Sequence, residues 1–341
     1  MQEDVLQLPY RKQLMKPTRR SCSVAFACAA LALLACAGPV AAQPFPSRPV
    51  TLIVPFAPGA TTDVLARAVA QELSAAWQQP VVVENRPGAS GNIGAAQVAN
   101  AAPDGHTLLV AAAAISAAPA LYKDPGFKLF DTLKPVTVLG VVPLMLIVYP
   151  ELPVQTVAEF VAYAKKHPGT LALGSGGNGT IPHLGGELFK MRSGIDFVHV
   201  PFRGGSQAMA ALIGGQVQLT IDGGPHVAPQ IAAGKVRLLA VTSAKRLPQY
   251  PAVPTLAESG FPGYEASAWT MVLAPGATPK PLIDKIQADM TRALQAPGMA
   301  ARLEKLDIQP RSDTPVEADA FLRREVAKWG EVIKASGAQV D

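Results

Sequence analysis

Residues 171–188 read LALGSGGNGTIPHLGGEL. An apolar run enters a glycine-rich loop and leaves it as a helical segment, so the stretch is a strand–loop–helix turn. Gly174, Gly176 and Gly179 fit the G-x-G-x-x-G pattern of a dinucleotide site. That site also needs an acid at the end of the next strand, about twenty residues on, to hold a ribose. Here Asp196 precedes the strand FVHV instead of ending it, and Pro182 and His183 stand where a pyrophosphate requires close approach. No Gly-Lys-Ser/Thr follows the glycines, so a Walker loop is excluded. The loop has to serve another anion.

A second loop of the same grammar lies upstream. VTLIV (50–54) reads as a strand buried on both faces, PFAPGATTD follows, and Leu65, Val69, Leu73 and Trp77 then recur at helical spacing. PVVVE (80–84), a small-residue helix over 91–101 and a strand over 107–112 continue a β-α-β-α-β order, which implies a parallel sheet with right-handed crossovers. The grammar repeats with strands over 144–149, 170–173, 197–200, 217–221 and 236–241, and helices over 157–166, 207–213 and 229–233. The tail is helical over 281–294, 299–306 and 315–335. Two αβ units exceed one sheet. We therefore expect two lobes with crossings near 141–143 and 265–272: residues 43–142 open lobe 1, 143–264 form lobe 2, and 265–341 return to lobe 1.

Residues 1–42 read as an export leader. Arg19 and Arg20 precede an uncharged apolar run, and small residues before Gln43 suit cleavage after Ala42. Glu3 and Asp4 are out of place in a basic n-region, so translation from Met15 gives a more compact leader. Lipidation at Cys36 is the alternative, with Leu34 a poor match to a lipobox. Cys22, Cys28 and Cys36 all fall in this leader, which leaves a body without thiol nucleophiles, disulfides or Cys-rich metal sites. The leader also carries five basic and two acidic groups, leaving 25 basic against 23 acidic. So nearly neutral a body, without a Lys/Arg run, is no nucleic-acid partner.

Catalytic constellations are weak. His106, His167, His183, His199 and His226 show no H-x-x-x-H or H-E-x-x-H spacing, so no metal is expected. Ser175 lacks the G-x-S-x-G elbow because residue 173 is Leu. A hydrolase using Ser175 with His183 is the enzymatic alternative; no cofactor is expected. What remains is the pair of loops. A helix start presents unpaired backbone N–H groups and a partial positive charge, so it holds an anion without Arg or Lys. Thr61, Thr62, Asn178 and Thr180 add side-chain donors. Asp63 reads first as a cap or a loop-ordering carboxylate.

These loops, with further stretches, resemble the Bug family, the substrate-binding proteins of tripartite tricarboxylate transporters. The matching text includes PSRPVTLIVPFAPGATTDVLAR, VVVENRPGASGNIGAAQVANAAPDGHTLL, LGSGGNGTIPHLGGELFK, HVPFRGG, ALIGGQVQLTID and VPTLAESGFPGYE. The resemblance implies an α/β fold of the type II periplasmic binding class: two lobes, crossing strands at the hinge, closure on a ligand. Carried onto this chain, it places a carboxylate among Phe56, Ala57, Gly59, Ala60, Thr61, Thr62 and Asp63. It adds Ala114 and Ser116 after the third strand, then Ser175, Gly176, Asn178, Gly179, Thr180, Pro182 and His183, and Asp222 facing the cleft. It also implies a periplasmic monomer serving the large and small subunits of an inner-membrane permease. The alternative is a sensory co-receptor docking on a kinase.

Three departures stand out. The family's Gly-Gly is Gly59-Ala60 here, which limits one backbone position. AAAAIS replaces small polar residues after the third strand, so Ala113, Ala114 and Ile115 would make an apolar wall. Trp269-Thr270-Met271 lacks a small residue after the Trp, and Trp269 reads as a buried hinge aromatic. Arg203 reads as an ion-pair or loop anchor.

Overall fold

The computed structural model describes residues 45–337. The expected leader, the Met15 start and Cys36 lie outside the described residues. Strand and helix alternate at first: β1 (Val50–Val54), α1 (Thr61–Trp77), β2 (Val81–Asn85), α2 (Asn92–Ala99) and β3 (Thr107–Ala112). A 3-10 turn at Ala113–Ser116 and short helices α3 (Ala118–Leu121) and α4 (Leu129–Thr132) lead into β4 (Leu133–Pro143). The chain then forms β5 (Met145–Val148), α5 (Val157–Lys166), β6 (Ala172–Ser175), α6 (Ile181–Ser193) and β7 (Val198–Pro201). It continues through α7 (Gly205–Ile213), β8 (Leu219–Asp222), α8 (Ala228–Ala232) and β9 (Arg237–Val241). After β10 (Ser267–Pro275) come α9 (Lys280–Leu294), α10 (Met299–Glu304), β11 (Gln309–Pro310) and α11 (Pro315–Ser336).

Two sheets result, ordered β11-β4-β10-β3-β1-β2 and β7-β6-β8-β5-β9. β1 runs parallel to β2 and to β3, as the alternation implies. Strands outside that alternation run the other way. β10 is antiparallel to both β3 and β4, and β5 is antiparallel to β8 and β9. The reason is topological: β4 leaves the first sheet for the second and β10 comes back, so the two must run in opposite directions where they pair.

Packing follows the alternation of each strand. Val50, Leu52 and Val54 of β1 face α1 and α9 through Leu65, Val69, Leu73, Ile283, Ile286 and Met290, while Ile53 faces the opposite layer. Each such side chain contributes roughly 1.5–3 kcal/mol by leaving water. The opposite layer runs on without a break into the second lobe. Leu322 and Trp329 of α11 share one core with Leu109 and Met271 of the first sheet, with Leu173 of the second and with Leu184 of α6. In α6, a Cβ at Gly186 would overlap the Leu173 side chain of β6. Gly186 in LGGEL is therefore a close helix–strand contact.

Candidate functional site

The first loop is built around one carboxylate. Asp63 sits in the first turn of α1 and accepts from the Gly59 N–H (2.9 Å), Arg67 Nε (3.0 Å) and Asn85 Nδ2 (2.8 Å). Asn85 Nδ2 also donates to the Phe56 carbonyl (3.0 Å), which fastens the loop to β2. Burial pushes the Asp63 carboxyl up, but its bonds to Arg67, Gly59 and Asn85, with the Arg67 charge, outweigh burial and hold it below the ordinary value. Asp63 is thus a loop-ordering group. It leaves α1 without a side-chain cap. Gly59 takes φ +85, whereas Ala60 is extended at φ −63 and ψ 152. The left-handed position falls on the glycine that is present, so Ala60 costs the loop nothing.

The second loop is held by neutral groups. Ser175 Oγ lies 2.6 Å from His199 Nε2 and accepts from the Gly177 N–H (3.2 Å). The Gly179 N–H donates to His183 Nδ1 (3.1 Å), which places the His183 proton on Nε2. Thr180 Oγ1 donates to the Gly177 carbonyl (2.7 Å) and does not cap α6, which also starts uncapped. The His183 and His199 rings stack at 3.8 Å and 18°. Burial drives the His183 imidazole down to about 4, and burial together with the His183 charge does the same to His199. Both rings are neutral at physiological pH. The hydrolase alternative paired Ser175 with His183; the hydroxyl in fact meets His199, and Ser175 is wholly buried.

Both helix starts open on one hollow of about 130 Å³, with Thr61 and Thr62 on one side and Pro182 and Asp222 on the other. Four of the sequence-derived site residues thus meet there. Phe56 lines a smaller adjoining pocket with Ala112 and Ile115. Ala57, Gly59, Ala60 and Asp63 of the first loop and helix start, and Ser175, Gly176, Asn178, Gly179, Thr180 and His183 of the second, are not among the residues that line the hollow. Ser116 is buried and donates to the Ala113 carbonyl (2.6 Å). Of the apolar stretch, Ala112 lines the hollow, Ile115 lines the adjoining pocket, Ala113 is buried in the core and Ala114 lies in neither lining. Arg203 is exposed, makes no ion pair among the described residues, and stands away from the lining.

The floor of the hollow comes from residues that carry no chemical signature. Gly140, Val142 and Leu144 alternate along and just beyond β4, Ala268 and Thr270 along β10, and Trp269 joins them. For Gly140, Val142, Leu144 and Ala268 the period-two spacing at the crossings was the only signal that could have found them. Trp269 is buried, and its Nε1 donates to Glu325 Oε2 at 3.1 Å. No Lys or Arg side chain lines the hollow. First-turn N–H groups without a side-chain cap belong to the two helix starts at its rim: Thr61 and Thr62 in α1, Ile181 and His183 in α6. Pro182 supplies no N–H.

Two αβ lobes joined by crossing strands, with opposed helix starts across a small hollow, define a two-lobed solute-binding receptor. Comparison with known proteins narrows this class. The model of the tripartite tricarboxylate transporter family receptor (TctC) matches residues 65–338, and the chain belongs to that family. Protein BugT of Bordetella pertussis is 37% identical over 306 residues, covering 89% of this chain and 94% of that protein. The structure of Rpa4515 of R. palustris with adipate superposes with a TM-score of 0.75 at 38% identity, covering 87% of this chain and 100% of that one. MatC of Rhodopseudomonas palustris, with bound malate, gives 0.73 at 34% identity over 85% of this chain and 100% of that one.

Proposed function

We propose that this chain is an exported receptor that captures a small organic carboxylate between its lobes and delivers it to a tripartite tricarboxylate-type permease. One observation carries the reading: two uncapped helix starts, α1 through Thr61 and Thr62 and α6 through Pro182, border a single hollow that no basic side chain lines. Main-chain N–H groups and aligned peptide dipoles at such ends favour an anion, by up to about 2 kcal/mol each when partly buried. A hollow of about 130 Å³ suits an acid of few carbons, in keeping with the adipate and malate held by two related structures. Residues 43–142, 143–264 and 265–341 serve as lobe 1, lobe 2 and the returning part of lobe 1, and the ligand favours closure only as strongly as it prefers the closed form. The wholly buried Ser175 hydroxyl supports binding without turnover.

Calorimetric titration of the purified mature chain with adipate, malate, succinate, benzoate and citrate tests this reading. Saturable one-to-one heat with at least one acid is expected. A flat response to all five contradicts it.

A further inference from the structure

Asp222 poses a problem for an anion site, because its carboxylate stands in the wall of the hollow assigned above to a carboxylate guest. Like charges at that range repel strongly once water is excluded. The structure answers this locally. Asp222 Oδ1 accepts from the Gly223 N–H (2.8 Å), and Oδ2 lies 3.0 Å from His226 Nε2. The pair is tightly enclosed: a Cβ at Gly205, the first residue of α7, would lie 2.6 Å from Asp222 Oδ2 and 3.0 Å from His226 Nε2. From the other lobe, Asp307, in the turn between α10 and β11, also acts on His226, and Tyr250 stands within reach of the same Asp307 charge. His226 thus contacts Asp222 directly and feels the charge of Asp307 as well.

We infer that His226 is a specificity-determining residue of this receptor: its imidazolium neutralises Asp222 and so lets the hollow accept an anionic guest in place of a neutral hydroxylated one. The inference rests on the carboxylate reading above. The hydrogen bond to Asp222 holds the His226 imidazole above its ordinary value; burial opposes this, and the Asp222 and Asp307 charges add to the rise. The imidazolium thus persists to higher pH than that of a free histidine. As pH climbs through the raised value, Asp222 loses its counter-charge and the hollow turns against carboxylates.

The test is calorimetry with the tightest-binding of adipate, malate, succinate and benzoate, on wild type, His226→Gln and His226→Lys, between about pH 6 and 9. Wild-type affinity should fall as pH rises. His226→Gln should bind roughly tenfold or more weakly at the acid end and lose the pH dependence. His226→Lys should restore most of the affinity while its profile stays flat, which a merely structural histidine would not produce. Circular dichroism confirms that each variant is folded; if His226→Gln fails to fold, the flat profile of His226→Lys decides. Equal affinity and equal pH profile for wild type and the variants overturn the role of His226 while leaving carboxylate binding intact. Wild type that binds none of the acids removes the carboxylate reading, and this inference with it.

Discussion

At the scale of single residues, His183, His199 and His226 divide by the sign of their titration. His183 and His199 are held neutral, with folded values of about 4 against 6.5 for the unfolded chain. Their contribution is complete above about pH 6.5, shrinks as pH falls through that window, and levels off below about 4. His226 runs the other way: its raised value gives stability that is present at low pH and lost as pH rises through it. Thermal melts should therefore show a midpoint that falls between about pH 6.5 and 4, and His199→Gln should flatten that fall. An unchanged slope in the variant would mean that the stacked pair does not govern acid stability. Residue types told only part of this in advance. The glycines and threonines announced themselves by type and spacing and Asp222 through the family resemblance, but the partner of Ser175 did not. His199 lies 24 positions away on β7, and only the parallel pairing of β6 with β7 sets it opposite Leu173, within reach of Ser175.

At the scale of elements, the two loop–helix units were legible because each combines a buried strand, punctuating glycine and a periodic helix. Gly59 shows how narrow the requirement is. At φ +85 it has open space around it, so the cost of a side chain there is backbone strain rather than a clash. Gly59→Ala should destabilise the chain by about 1–2 kcal/mol and weaken carboxylate binding, while Ala60→Gly should change stability by less than about 1 kcal/mol. Urea melts of both variants check this; equal losses at the two positions would contradict the assignment of the turn. The long strand β4 was far less legible. Its sequence LKPVTVLGVVP carries Pro135, Gly140 and Pro143, and only its end was expected as a crossing. Pairing with β10 along most of its length holds it extended against those local signals, with register shifts at Thr270/Met271 and Val272/Leu273. Because β4 and β10 floor the hollow, missing the strand meant missing Gly140, Val142 and Ala268 as lining.

At the scale of the whole molecule, one buried carboxylate ties the hinge to the terminal helix. Glu325 of α11 accepts from Trp269 Nε1 in β10 and from Trp329 Nε1, both at 3.1 Å, and pairs with Lys328 at 2.5 Å. α11 also shares a core with residues of both sheets, so it braces the crossing from behind. Glu325→Leu strands two buried indole N–H groups and should cost about 2–4 kcal/mol, whereas Glu325→Gln keeps an acceptor and should cost less. Equal losses for the two substitutions, measured by denaturant melts, would show that packing rather than the shared acceptor matters there. Nothing in the sequence joined Glu325 to Trp269, because 56 positions separate them and Glu325 belongs to no motif.

The central claim is that main-chain groups at two opposed helix starts hold the guest. A crystal structure of the mature chain with a bound dicarboxylate tests it most directly. Carboxylate oxygens about 3 Å from the N–H groups of Thr61 or Thr62 on one side and of Ile181 or His183 on the other are the predicted result. Carboxylates held instead by Arg203, or seated outside the hollow between α1 and α6, would contradict the account.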